Sequence, residues 1–77
     1  MSSAADQELD ATGLKCPMPV LRARRALKPL AVGARLLVRA DDPASATDFP
    51  AFCETTGHVL EDVAEVEGEF RFLIRKA

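Results

Sequence analysis

The sequence contains few cysteines and histidines, and this argues against a zinc-binding fold and against a disulfide-rich fold. Only two cysteines and one histidine occur among the 77 residues, and no Cys-x-x-Cys pair is present. A structural zinc site needs a closed set of such ligands, and a small disulfide scaffold needs several cysteine pairs. Any cysteine chemistry is therefore expected to be that of a single thiol, and no metal site is predicted.

Long apolar runs are absent as well. No run approaches the ~18 residues that a membrane span requires, and the first residues lack the basic and apolar regions of a secretory signal. We therefore expect a cytoplasmic protein without membrane association. The composition, 48% hydrophobic and 29% charged, is that of a globular chain. We predict a flexible tail over residues 1–7 and one domain over residues 8–77.

Hydrophobic periodicity predicts the element order β-α-β-α-β-β. The predicted elements are a strand over 8–11, a helix from Cys16, a strand over 35–40, a helix N-capped by Thr47 or Asp48, a strand over 59–67 and a strand from Phe70. Right-handed crossovers would place both helices on one face of the sheet. The predicted fold class is α+β, a two-layer sandwich with a mixed four-stranded sheet.

The same periodicity assigns faces to these elements. The first helix is expected to bury Val20, Ala23, Leu27 and Leu30, and the second to place Phe49, Phe52, Cys53 and Thr56 on one face. Gly57 suits a helix C-terminus, irregular alternation suggests a bulge in the third strand, and Gly68 indicates a hairpin turn. On the open face of the sheet, arginines are expected to meet two acidic residues; these are Arg35, Arg39, Arg71 and Arg75 with Glu61 and Glu65.

Cys16 is the strongest candidate for a functional residue. It stands between a loop and a predicted helix, where Pro17 suits the first helical position and Pro19 is tolerated in the first turn. Unpaired N–H groups at a helix start favour a thiolate, and Lys15 would add to that effect. The sequence therefore predicts a rigidly mounted, accessible and electropositive thiol.

The other candidates fit structural roles better. Cys53 lies on the apolar face of the second helix, where a buried, inert thiol is expected. His58, the only histidine, follows Gly57 at the far end of that helix and is expected to pack there and not to act on Cys16. A cysteine hydrolase needs a positioned base and an oxyanion hole, so carriage of a covalent group is favoured over hydrolysis.

A basic segment follows the candidate thiol. Its members after the prolines are Arg22, Arg24, Arg25 and Lys28. They could dock an acidic partner by electrostatic steering, or they could simply form a solvated helix face. Nucleic-acid binding is disfavoured, because the net charge is −2 and no tryptophan or tyrosine is present; such domains are usually basic overall.

Four separated segments resemble the TusA (SirA-like) sulfur-carrier family. The first is Leu9-Asp10-Ala11-Thr12-Gly13-Leu14-Lys15-Cys16-Pro17-Met18-Pro19-Val20-Leu21, and the others are Asp41-Asp42-Pro43, Asp48-Phe49-Pro50-Ala51-Phe52-Cys53 with Gly57-His58, and Arg71-Phe72-Leu73-Ile74-Arg75-Lys76. The resemblance covers nearly the whole chain from Glu8. Met18 stands where some members carry an acidic residue, which bears on the choice of partner.

The resemblance implies a sulfurtransferase that relays sulfur. Cys16 would accept sulfane sulfur from a donor such as a cysteine desulfurase or a rhodanese, and would pass it to an acceptor protein. The implied pathways are tRNA thiolation, cofactor biosynthesis and sulfur oxidation. No metal or organic cofactor is implied, no direct contact with nucleic acid is expected, and we expect a monomer.

Two other functions stay open from the sequence. In the first, Cys16 is vestigial and the protein is a regulatory interaction module that binds a partner through its helix face or its arginine-rich sheet. In the second, Cys16 is a redox-sensing thiol that Cys53 resolves, which requires their Cα atoms to lie within ~7 Å.

Overall fold

The predicted order of strands and helices is confirmed in a computed structural model, which describes residues 5–77. The elements are β1 (Gln7–Asp10), α1 (Met18–Leu27), β2 (Arg35–Ala40), α2 (Ser45–Thr56), β3 (Val59–Val66) and β4 (Glu69–Arg75). Most of the predicted tail lies outside the described residues. β1 begins at Gln7, one residue before the predicted domain boundary, and the backbone N–H of Asp6 donates to the Arg35 carbonyl. No helix in the described part of the chain is long and apolar enough to cross a membrane.

The four strands form one mixed sheet in the order β1-β2-β4-β3. β1 runs parallel to β2, whereas β2 with β4 and β3 with β4 are antiparallel. β2 lies in the interior of the sheet, as its apolar sequence predicts, because a strand with neighbours on both sides has little access to solvent.

Both helices cover the same face of this sheet. Alternate residues of the two inner strands, β2 and β4, point to that face. Across these strands Leu36 lies opposite Ile74, and Val38 lies opposite Phe72. All four are fully buried, together with Ala23 and Leu27 of α1 and Phe49 of α2. The Phe49 ring stacks on the Phe72 ring with a centroid separation of 4.5 Å. The predicted two-layer sandwich is therefore confirmed.

The start of α1 differs from the prediction. The helix begins at Met18, Pro17 is its N-cap, and Cys16 lies outside it. The helical region is disfavoured for a residue that precedes proline, and Cys16 is such a residue. The buried side chains of α1 are Pro19, Ala23 and Leu27, whereas Val20 and Leu30 are half-buried.

The start of α2 was also predicted wrongly. The helix begins at Ser45 and contains Pro50 in its interior. Proline removes the N–H that would bond to the Ala46 carbonyl, but Ala46 is exposed to solvent, which lowers the cost of that loss. The start signal lies upstream, where the Asp42 carboxylate accepts a hydrogen bond from the Ala44 N–H at 3.4 Å. Gly57 ends the helix with a φ of 88°, as predicted.

The open face of the sheet carries the predicted arginines but only one of the two predicted acids. Glu61 pairs with Arg35 and Arg75, and Glu69 pairs with Arg39 and Arg71. Glu65 was expected in the place of Glu69. The predicted bulge in β3 lies between Leu60 and Asp62, and beyond it the side chains of the strand point to the opposite faces of the sheet from those expected. Glu65 therefore lies directly across from Phe70, on the face that the helices cover.

Candidate functional site

Cys16 is exposed in the loop between β1 and α1. Its backbone N–H donates to the Asp42 carboxylate at 2.6 Å, and the Gly13 N–H donates to the Asp41 carboxylate at 3.0 Å. The bond from Cys16 to Pro17 is cis. Two hydrogen bonds thus tie the thiol loop to the loop that follows β2, and the buried ring of Pro19 anchors the start of α1. These contacts hold the backbone of the thiol loop against the rest of the domain, and the rigid mounting of the thiol itself stays a prediction.

A shallow groove of about 350 Å³ opens beside the thiol. We call it the Cys16 groove; it is lined by Cys16, Pro17, Val20, Arg24, Asp48, Ala51, Phe52, Thr55 and Thr56. One wall comes from Cys16, Pro17 and α1, and the other comes from α2. A mostly apolar groove between two helices, with a few polar groups, can receive an extended segment of another molecule.

The charge around the thiol is opposite to the predicted one. The Asp48 carboxylate accepts a hydrogen bond from the Cys16 thiol, and this bond is the main reason that the pKa of Cys16 is raised. Partial loss of hydration and the negative charges of Asp48 and Asp42 raise that pKa further. The prediction of an electropositive, thiolate-favouring site is therefore wrong. Cys16 precedes the first residue of α1 by two positions, and the charges that act on its thiol are those of Asp48 and Asp42.

Cys53 occupies the position predicted for it. Its side chain is 5% exposed on the inner face of α2, and loss of hydration raises the pKa of its thiol. Both cysteines are free. Cys53 contributes to the hydrophobic core and does not line the Cys16 groove, so the two thiols have different surroundings.

A second cleft, of about 560 Å³, adjoins the Cys16 groove through the shared residues Arg24 and Thr56. Three of the predicted docking residues, Arg24, Arg25 and Lys28, line it, whereas Arg22 lines neither cavity. All four are exposed.

His58 also lines this second cleft and is not among the residues that line the Cys16 groove. Its ring packs against Phe52 at 5.8 Å, and its Nδ1 accepts a hydrogen bond from the Ala77 N–H at 3.0 Å. The predicted packing role of His58 is confirmed. Among residues 5–77, no group of three or more histidine, cysteine or acidic side chains is placed to hold a metal ion.

Asp42 and Asp48 are the residues that the sequence analysis missed at this site. Asp42 was named only within the Asp41-Asp42-Pro43 segment of the resemblance and Asp48 as a possible helix cap, and neither was connected with Cys16. The hydrogen bond between Cys16 and Asp42 joins two residues that are 26 positions apart in the sequence. No local pattern encodes such a contact; only the parallel pairing of β1 with β2, which brings the following loops to one edge, would have indicated it.

Comparison with known proteins agrees with this architecture. The family model described as Sulfurtransferase TusA matches residues 7–76. The sulfur carrier protein TusA of Allochromatium vinosum is 50% identical over 72 residues, which cover 94% of this chain and 95% of that protein. The crystal structure of a SirA-like protein from Desulfitobacterium hafniense superposes with a TM-score of 0.80 at 30% identity, covering 90% of this chain and 95% of that one.

Proposed function

The chain belongs to the TusA family of sulfurtransferases, and from that premise we propose that it accepts sulfane sulfur on Cys16 as a persulfide and transfers it to a partner protein. The observation that carries this proposal is the exposed Cys16 thiol, fixed beside a groove that is open to another protein. Cys53 is buried in the core and is not offered to a partner.

The proposed reaction has two displacements that are redox-neutral overall. The Cys16 sulfur attacks the terminal sulfur of a donor persulfide, R–S–SH, and a new S–S bond forms while the bond between the two donor sulfurs breaks. The electron pair leaves with the donor cysteine, which takes up the proton that Cys16 loses. In the second step an acceptor thiol attacks the terminal sulfur of Cys16–S–SH, and Cys16 leaves as the thiol. Rates of both steps depend on the thiolate fraction and on access.

Carriage fits this groove better than hydrolysis. A hydrolytic cysteine requires a base that withdraws its proton and activates it. The Asp48 carboxylate has the opposite effect, since its hydrogen bond and its charge raise the pKa of Cys16. His58 packs on Phe52 in the neighbouring cleft.

Partners follow from this chemistry. We propose a protein persulfide donor, such as a cysteine desulfurase or a rhodanese, and a protein acceptor in tRNA thiolation, cofactor biosynthesis or sulfur oxidation. The exposed residues Arg24, Arg25 and Lys28 adjoin the groove, so a docking partner with acidic groups would meet them, with Arg22 on the same helix. A reducing compartment keeps both thiols free, and the cytoplasm is the proposed location.

The test is the intact mass of the protein after incubation with a cysteine desulfurase and free cysteine. We expect a gain of one sulfur atom that a reductant reverses. The gain should be absent in Cys16→Ser and present in Cys53→Ser, which serves as the matched control. Sulfur uptake by Cys16→Ser, or none by the unaltered protein, would contradict the proposal.

A further inference from the structure

Asp42 joins the thiol loop to the start of α2 through three hydrogen bonds. One oxygen of its carboxylate accepts the Cys16 N–H at 2.6 Å, and the other accepts the Ala44 N–H at 3.4 Å. Its carbonyl oxygen accepts the N–H of Ser45, the first residue of α2, at 2.9 Å. The residue that holds the backbone of the thiol therefore also holds the beginning of the helix that forms the other wall of the Cys16 groove.

The hydrogen bond to Asp42 has no equivalent in the segment Cys16-Pro17-Met18-Pro19. The two prolines have no backbone N–H, and the Met18 N–H donates within the loop, to the Lys15 carbonyl at 2.8 Å. Within residues 5–77, the Cys16 N–H is thus the only backbone donor of this segment that reaches a different part of the chain, 26 positions away. A hydrogen bond to a carboxylate is about twice as strong as one between neutral groups, so this contact restrains the backbone next to the reacting sulfur.

The direction of the thiol matters for the proposed reaction. A thiolate attacks one sulfur of the S–S bond that it breaks, and it approaches along the axis of that bond, so that three sulfur atoms lie nearly in line. A small reagent can reach an exposed thiol from many directions, whereas a docked protein offers its sulfur from one. A misplacement of about 1 Å between reacting groups costs up to about a hundredfold in rate.

We propose, on the premise of the sulfur-carrier function above, that Asp42 is a positioning residue for sulfur transfer. Its carboxylate fixes the backbone of Cys16 relative to α2, so that the thiol meets the terminal sulfur of a docked donor in line. The persulfide then formed on Cys16 meets the acceptor thiol in the same way. Asp42 does not line the Cys16 groove, and it therefore acts through Cys16 and not on the partner. Without this hydrogen bond the thiol keeps its reactivity but loses its direction.

The first test compares two variants that carry the same charge at position 42 and differ in the hydrogen-bond acceptor. Asp42→Asn keeps an oxygen that can accept the Cys16 N–H, whereas Asp42→Ala has none. Both are made in Cys53→Ser protein, and sulfur loading is measured with a cysteine desulfurase and cysteine and, separately, with inorganic polysulfide. The ratio of the two rates cancels any change in the reactivity of the thiol itself.

We expect this ratio to fall roughly tenfold or more in Asp42→Ala, through a lower kcat of the desulfurase reaction at an unchanged KM, and to be largely retained in Asp42→Asn. Equal ratios in the two variants, or a loss confined to KM, would overturn the proposal. Asp41→Ala is the matched control, because it removes the hydrogen bond from the Gly13 N–H, three positions before Cys16, and leaves the Cys16 N–H paired. An equal loss in Asp41→Ala would contradict a specific role of Asp42.

The second test uses the unaltered protein and does not depend on the folding of any variant. NMR relaxation gives the order parameter of the Cys16 N–H, which should be about 0.85, the value of rigid backbone, and a value below about 0.6 would refute the positioning role. The carrier function fails if the unaltered protein takes up sulfur from neither donor. The Asp42 proposal fails if the unaltered protein is loaded and Asp42→Ala has the same ratio of rates, so the two failures give different results.

Discussion

Replacement of Phe49 by alanine should remove much of the stability of this domain. Phe49 is fully buried and its ring stacks on Phe72 at 4.5 Å, with an interplanar angle of 21°. Truncation of a buried phenylalanine costs about 3–5 kcal/mol through lost burial and the cavity left behind. A chain of 77 residues has a free energy of unfolding of roughly 4–12 kcal/mol. The melting temperature should accordingly fall by at least about 12 °C, since 1 kcal/mol shifts a small domain by about 4–8 °C.

The same change should also disturb the Cys16 groove, because Phe49 adjoins Asp48 and holds the first half of α2 on the sheet. Urea unfolding followed by far-UV circular dichroism measures the loss, since the chain has no tryptophan or tyrosine to report it. Phe49→Leu should cost less than Phe49→Ala. Val32→Ala is the control, because Val32 is 79% exposed and its loss should stay within about 0.5 kcal/mol. A loss below about 1 kcal/mol in Phe49→Ala would refute this account of the core.

Three further predictions concern pH and backbone geometry. The arginines paired with Glu61 and Glu69 lower the pKa of both carboxylates. Both carboxylates therefore contribute stability above their unfolded pKa, and this stability is lost as the pH falls. The double variant Glu61→Gln with Glu69→Gln should show a flatter dependence of the urea midpoint on pH between about pH 5 and pH 3. An equally steep decline in the double variant would contradict the ion pairs. Gly57 has a φ of 88° with open space around its Cα, so Gly57→Ala should cost about 1–2 kcal/mol by backbone strain alone; an unchanged urea midpoint would exclude that strain. Loss of hydration and the Lys76 charge lower the pKa of His58, and NMR titration of its ring should give a value below that of an unfolded-chain histidine; a higher value would be inconsistent with its packing.

Strand assignments could be derived from the sequence because their cause is local. β2 was predicted with its observed bounds. The stretch between Gly33 and Asp41-Asp42-Pro43 contains one apolar run, and only one strand can be placed on it. The β3–β4 hairpin was indicated by Gly68, which adopts a positive φ of 81° next to Glu67. Period-two alternation in β4 then gave the buried residues Phe72 and Ile74.

The helix starts were predicted less well, because tertiary contacts decide them. Pro50 argued for a late start of α2, yet the helix begins at Ser45, five residues before that proline. There the carbonyl and carboxylate of Asp42 accept hydrogen bonds from the Ser45 and Ala44 N–H groups. Packing of Phe49 on Phe72 stabilises the helix across the proline, which local propensity does not include.

The position of Cys16 was predictable, and its electrostatic environment was not. The two prolines that follow it, Pro17 and Pro19, marked it as an unusual cysteine before its spatial neighbours were known. The charges that act on its thiol come from Asp42 and Asp48, which are distant in sequence and are brought to it by the pairing of β1 with β2 and by the start of α2. The predicted sign was wrong because only the helix-start N–H groups and Lys15, which are local to Cys16, entered the prediction.

The most direct measurement of the central claim is the location of the transferred sulfur. The protein is loaded by a cysteine desulfurase with isotopically labelled cysteine sulfur, alkylated to trap persulfides, digested and examined by peptide mass spectrometry. We predict that the labelled sulfur lies on the peptide that contains Cys16 and is lost from it when an acceptor thiol is added. Label on the Cys53 peptide, or label on Cys16 that no acceptor removes, would contradict the assignment of Cys16 as a sulfur carrier.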